Sequence, residues 1–124
     1  MTEDPALHIL VVEDDDGYRR LVSRMLTKVG YRVTAAEDFA TAIKVIDSPE
    51  PIDLLLTDIG MPAGTPHGLS IGKVAEFRRQ GLKVLYMTGA HDLANFAQFG
   101  PDVTVLRKPF TAAELAAAVA QALR

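Results

Sequence analysis

The chain has 124 residues and a net charge of −3, with 48% hydrophobic and 23% charged residues, the size and balance of one globular domain that buries enough surface to fold without a staple. It contains no cysteine, which excludes disulfides, thiolate metal sites and thiol nucleophiles. The mild acidity gives no support to direct nucleic-acid binding, no apolar run nears the roughly 20 residues of a membrane span, and the acidic start is unlike a signal peptide, so a cytoplasmic chain without a membrane partner is expected.

In chain order, Ile9-Leu10-Val11-Val12 is the first apolar run, followed by the acidic stretch Glu13-Asp14-Asp15-Asp16. Tyr18, Leu21, Val22, Met25, Leu26 and Val29 then recur at helical spacing and predict one buried stripe, closed by Gly30, a residue suited to a left-handed cap. Arg32–Ala35 reads as a weaker strand, and Phe39, Ala42, Ile43 and Ile46 as a second helix stopped by Ser48-Pro49-Glu50-Pro51. Leu54-Leu55-Leu56 is the third strand, ending at Thr57-Asp58, and a third helix is expected from about Leu69 to Arg79 with Gly81 beyond it. Val84–Met87, ending at Thr88-Gly89, is the fourth strand. A short helix is expected over Asp92–Phe99, then a strand Val103–Leu106 ending at Arg107-Lys108-Pro109. The last helix opens on a capping box, Thr111-Ala112-Ala113-Glu114. The strands lack polar alternation, as strands buried on both faces do. Five strands alternating with five helices predict a single α/β domain over 1–124, core about 7–123, with a doubly wound parallel sheet.

Parallel strands all finish at one edge, where such sheets bind ligands. That edge therefore collects Glu13, Asp14, Asp58, Thr88 and Lys108. Two carboxylates about 4 Å apart repel by roughly 4 kcal/mol at an effective dielectric near 20, so the acidic cluster must trap a proton or recruit a cation. Mg²⁺ fits: it takes hard oxygen ligands and completes its shell with water and phosphate oxygens. A carboxylate nucleophile, a divalent cation, a hydroxyl and an ammonium together describe phosphoryl transfer.

The segments Ile9–Asp15, Leu54–Pro62, Val84–Ala90 and Leu106–Phe110 occur in the order and at the intervals of response-regulator receiver domains, the CheY-like family of two-component signalling, and the chain resembles that family over nearly its whole length. The resemblance implies the flavodoxin-like strand order 2-1-3-4-5, an order for which CheY is itself a reference example. It implies Asp58 as phosphoacceptor, with Mg²⁺ held by Asp14 and Asp58, by the Gly60 carbonyl and by Glu13 through a water. Thr88 and Lys108 would meet phosphoryl oxygens, and the Lys108-Pro109 bond would be cis. The donor would be the phosphohistidine of a sensor histidine kinase or histidine phosphotransfer protein. With nothing after the last helix, output is expected through a downstream protein or by onward transfer.

Two features depart from the family pattern. Val105 stands where relatives usually carry a Tyr or Phe whose rotation reports phosphorylation, with Phe96 and Phe99 the nearest aromatic candidates. Five residues rather than three separate Pro62 from Gly68, and Gly60 is small, so a site open to water and an acyl phosphate of ordinary lifetime are expected.

Plainer roles compete at each position. Asp15 or Asp16 suits a helix N-cap, and Thr88 could bond its own backbone. Arg19, Arg20, Arg24 and Lys28 form a basic outer face, either merely solvated or a kinase-docking surface. His8, His67 and His91 are too scattered for a metal or triad set. Asp14-Asp15-Asp16-Gly17 also resembles the Asp-x-Asp motif of haloacid-dehalogenase-like phosphatases, with Asp14 as nucleophile. A non-phosphorylated adaptor of the same fold is a third class, against which the intact Asp14, Asp58, Thr88 and Lys108 set argues.

Overall fold

The structure is a computed structural model that describes residues 6–59, 68–89 and 104–124. Its elements are β1 (His8–Val12), α1 (Asp16–Val29), β2 (Arg32–Ala36), α2 (Phe39–Ile46), β3 (Leu54–Asp58), α3 (Gly68–Arg78), β4 (Lys83–Thr88), β5 (Val105–Arg107) and α4 (Ala112–Ala122). The five strands form one parallel sheet in the order β2-β1-β3-β4-β5, as the resemblance implies. Four of the five expected helices lie among the described residues; the expected helix Asp92–Phe99 and the strand residue Val103 lie outside them.

β1 and β3 are buried along their whole length because each of their faces meets a different helical layer. Ile9, Val11, Leu54 and Leu56 pack with Val22 and Leu26 of α1 and Leu115 and Val119 of α4. The alternate residues Leu10, Val12 and Leu55 pack with Ala42 and Ile46 of α2 and Ile71 and Ala75 of α3. Period-2 side chains apolar on both faces therefore read as unbroken runs. Each fully buried aliphatic side chain contributes about 1.5–3 kcal/mol, and this two-sided core holds the strand ends in register.

The ends of α1 and α4 follow the sequence signals, and the cap of α2 is a further residue that the sequence reading did not single out. Asp15 caps α1, accepting a hydrogen bond from the Tyr18 amide at 2.7 Å, and Gly30 closes it at φ 114°. Asp38 caps α2 by accepting from the Thr41 amide at 2.8 Å. In α4 both bonds of the capping box are made.

Two expectations for α1 need correction. Leu21 and Val29 lie 42% and 55% exposed: they share the apolar stripe by spacing, but only Tyr18, Val22, Met25 and Leu26 reach the core. Arg19 is not on the solvated basic face; its guanidinium donates to the Glu13 carbonyl at 2.9 Å and pairs with Asp16.

At the opposite edge from the acidic strand ends, Arg79 donates to the carbonyls of Val45, Ile46 and Ser48, at 3.3, 2.8 and 2.7 Å. It thereby adds a donor to the carbonyls at the end of α2, where the helix runs out of its own amides, and ties down the Ser48 carbonyl just beyond it; Val45 also accepts from the Ser48 amide at 3.1 Å. Arg78 pairs with Asp47 beside it. His8 is buried at this same edge, its ring nitrogens 2.8 Å from the Pro51 carbonyl and 2.7 Å from the Thr34 hydroxyl.

Candidate functional site

The carboxyl ends of β1, β3, β4 and β5 form the rim. Pairing of Val12 with Thr57, Asp58 with Met87 and Thr88 with Arg107 brings residues from distant parts of the chain level with one another. Glu13 leaves β1 with its amide donating to the Ala36 carbonyl at 3.1 Å, and the Lys108 amide donates to the Thr88 carbonyl at 2.8 Å. Backbone bonds thus fix the start of each functional side chain.

Within this frame one oxygen from each of Glu13, Asp14 and Asp58 lies within 4.8 Å of the others. Glu13 is 1% and Asp58 5% exposed, whereas Asp14 faces solvent. The Lys108 ammonium lies 2.5 Å from Glu13 Oε1 and 3.5 Å from Asp58 Oδ2. The other Glu13 oxygen accepts from the Asp15 amide at 3.2 Å. Thr88 is fully buried, its hydroxyl donating to the Gly89 carbonyl at 3.2 Å. The peptide bond Lys108-Pro109 is cis.

The electrostatics follow from this crowding. Partial desolvation, and then the hydrogen bond with the neighbouring Glu13 carboxyl, hold the Asp14 carboxyl above the usual carboxylate range. For Lys108 the largest single influence is burial, which favours the neutral amine. The Glu13 hydrogen bond and the charges of Asp58 and Glu13 together outweigh it, and its pKa lies above that of an ordinary lysine. The ammonium therefore stays charged. An all-oxygen donor set of three converging carboxylates, one of them open to solvent, suits a hard divalent cation.

Of the residues singled out from sequence, Glu13, Asp14, Asp58 and Lys108 converge directly, and Thr88 lies beside them at the end of the adjoining strand. Asp15 is the helix cap and Asp16 an ion-pair partner of Arg19, so the acidic run divides between site and scaffold. Gly60 and the loop as far as His67 lie outside the described residues, as do His91, Phe96 and Phe99. Val105 pairs with Tyr86 of β4, a buried aromatic whose ring end lies against Gly72 of α3.

Sequence reasoning placed Tyr18 only on the core stripe. Its ring lies beneath the Lys108 ammonium, with Nζ 4.4 Å from the ring centroid. The edge contact with Phe110 has centroids 5.6 Å apart and an 86° angle between planes. An aromatic residue in the first turn of the helix that follows the acidic strand end was the available signal.

The profile of the response regulator receiver domain matches residues 9–120. The response regulator receiver protein CpdR of Brucella abortus is 38% identical over 104 residues, 82% of this chain and 84% of the relative. A response regulator receiver protein of Sinorhizobium medicae superposes with a TM-score of 0.83 at 33% identity, covering 95% of this chain and 94% of that one. The receiver domain of the hybrid histidine kinase CckA superposes with a TM-score of 0.78 at 30% identity, covering 94% and 99%. Other curated relatives are longer; the chain spans 46% of one that is 29% identical over 121 residues.

Proposed function

The chain belongs to the response regulator receiver family, and from that premise we propose that Asp58 is its phosphoacceptor, charged by the phosphohistidine of a sensor histidine kinase or histidine phosphotransfer protein. The observation that carries this is the placement of the Asp58 carboxylate at the end of β3, 3.5 Å from the Lys108 ammonium and within the Glu13–Asp14 cluster.

The chemistry is an in-line displacement. A carboxylate oxygen of Asp58 forms a bond to phosphorus while the phosphorus–nitrogen bond to the donor imidazole breaks, and that imidazole leaves with the electron pair and takes up a proton. Lys108 transfers an N–H from Glu13 to a phosphoryl oxygen and balances its charge. Thr88 turns its hydroxyl from the Gly89 carbonyl to another. Asp14 and Asp58, with the Gly60 carbonyl, would hold Mg²⁺ directly. Glu13, both of whose oxygens already accept hydrogen bonds, would hold it through a water. Bound there, the ion supplies positive charge to the non-bridging oxygens as negative charge builds on them. Hydrolysis by water then breaks the phosphorus–oxygen bond and returns the Asp58 carboxylate. The domain is a cytoplasmic signalling module that works through contact with a downstream protein, with no turnover beyond self-phosphorylation and autodephosphorylation.

The test is the intact mass after incubation with acetyl phosphate and Mg²⁺. A single phosphoryl adduct is expected, lost without Mg²⁺ and lost in Asp58→Asn. Turnover of small phosphate esters that needs Asp14 but not Asp58 would favour the phosphatase. An unmodified chain with every donor would leave the adaptor.

A further inference from the structure

The geometry points to Tyr18 as a positioning residue for phosphoryl transfer, an aromatic platform that holds the Lys108 ammonium in place while its anionic partner changes. The inference rests on the phosphoacceptor reading of Asp58. Lys108 is a long, flexible side chain, and its ammonium has three N–H donors and no acceptor. Two of its neighbours are anionic, Glu13 at 2.5 Å and Asp58 at 3.5 Å. The third is the face of Tyr18, 4.4 Å from Nζ to the ring centroid.

An aromatic face attracts a cation through its quadrupole and consumes no hydrogen-bond donor in doing so. A carboxylate in that place would neutralise the charge that the phosphoryl group requires, and an aliphatic side chain would leave the ammonium free to swing toward water. The ring satisfies both demands: it restrains the ammonium and leaves every N–H free for oxygen.

The platform is itself built. The Tyr18 amide is tied to the N-cap Asp15 at 2.7 Å, and the Phe110 ring meets Tyr18 edge-on at 5.6 Å. Phe110 lies two residues beyond Lys108, so the ring and the ammonium it holds are fixed by one short stretch of chain. Asp15, Tyr18, Lys108 and Phe110 thus form one unit joining the start of α1 to the end of β5.

The experiment measures the rate of Asp58 phosphorylation by acetyl phosphate at saturating Mg²⁺ in the full chain. Tyr18→Leu is expected to slow it about three- to tenfold, the range of a partly desolvated cation–π contact, and Tyr18→Phe to restore it to within about twofold. Replacing Tyr18 by phenylalanines carrying one, two and three ring fluorines drains the ring face at nearly constant shape, and the rate is expected to fall stepwise. In a Lys108→Met background none of these changes should matter. The ring current should shift the Lys108 ε-methylene protons upfield in the nuclear magnetic resonance spectrum of the wild type, and Tyr18→Leu should abolish that shift.

An unchanged rate in Tyr18→Leu, an equal loss in Tyr18→Phe, or a loss that persists without Lys108 would overturn the inference. If Tyr18→Leu fails to fold, the fluorinated series decides, a flat response counting against it. A wild type that forms no Asp58 adduct defeats the phosphoacceptor reading and this inference with it, whereas a normal adduct with indifferent Tyr18 variants defeats this inference alone.

Discussion

Asp14 carries a proton-linked consequence at the scale of a single residue. Its carboxyl is held above its ordinary pKa by partial desolvation and by the adjoining Glu13 carboxyl, so the folded protein binds a proton there more readily than the unfolded chain does. A raised carboxyl makes the metal-free fold gain stability as pH falls through the folded pKa, and forfeit that gain once Asp14 ionises at higher pH. A divalent cation relieves the same repulsion without a proton. Added Mg²⁺ is therefore expected to raise the thermal midpoint more at pH 8 than at pH 5, because protons compete for the ligands as pH falls. At a hundredfold excess over its dissociation constant the stabilisation is about 2.7 kcal/mol. Asp14→Asn should raise the metal-free midpoint and remove most of the Mg²⁺ response. Calorimetric scans of both proteins with and without Mg²⁺ at the two pH values check this, and an equal Mg²⁺ response in the variant would contradict it.

Between elements, α3 lies close against β4 at Gly72. A β-carbon at Gly72 would lie 2.0 Å from the Tyr86 hydroxyl oxygen and 2.7 Å from Cζ, far inside contact distance. Alanine normally favours a helix over glycine by about 1 kcal/mol; here the overlap must push the two elements apart. Gly72→Ala is expected to cost about 2 kcal/mol by urea unfolding, and Tyr86→Val in the same chain to recover part of that, since the two changes share one space. Nothing in the sequence flags this pair, because glycine inside a helical pattern reads only as a weak helix former. The elements themselves were legible: unbroken apolar runs marked β1, β3 and β4, the pair Asp15-Asp16 held the cap of α1, and Gly30 and Thr111 marked the helix ends they occupy. The contact width of a helix was not. Periodicity groups Leu21 and Val29 with Val22 and Leu26, but the shape of the opposing sheet decides that only the latter pair is fully covered. Likewise Arg19 belongs to a basic series by spacing and to the Glu13 carbonyl by tertiary position.

Across the whole molecule, stability has an alkaline limit that Tyr86 sets in part. Burial, then the Glu76 charge, push its phenol up to about 12, against roughly 10 in an unfolded chain. Below pH 10 both states keep the proton and the contribution is intact. Between about 10 and 12 only the unfolded state releases it, so stability falls as pH rises. Tyr86→Phe should flatten that fall in denaturant midpoints measured from pH 8 to 11.5, and an unchanged slope would refute the assignment. The candidate site was legible at this scale for one reason, that a parallel sheet delivers all its strand ends to one edge. Glu13 and Lys108 could thus be placed at one rim although 95 positions apart, whereas the ion pair between them and the ring beneath the lysine depended on how the side chains and α1 settle against β5. The Arg79 brace lies at the far edge from that rim and fastens the trailing ends of α2 and α3. Two rods riveted together at their tails can part only at their heads. Any shear between this pair is therefore expected to be smallest at the rivet and to grow toward the carboxylate end.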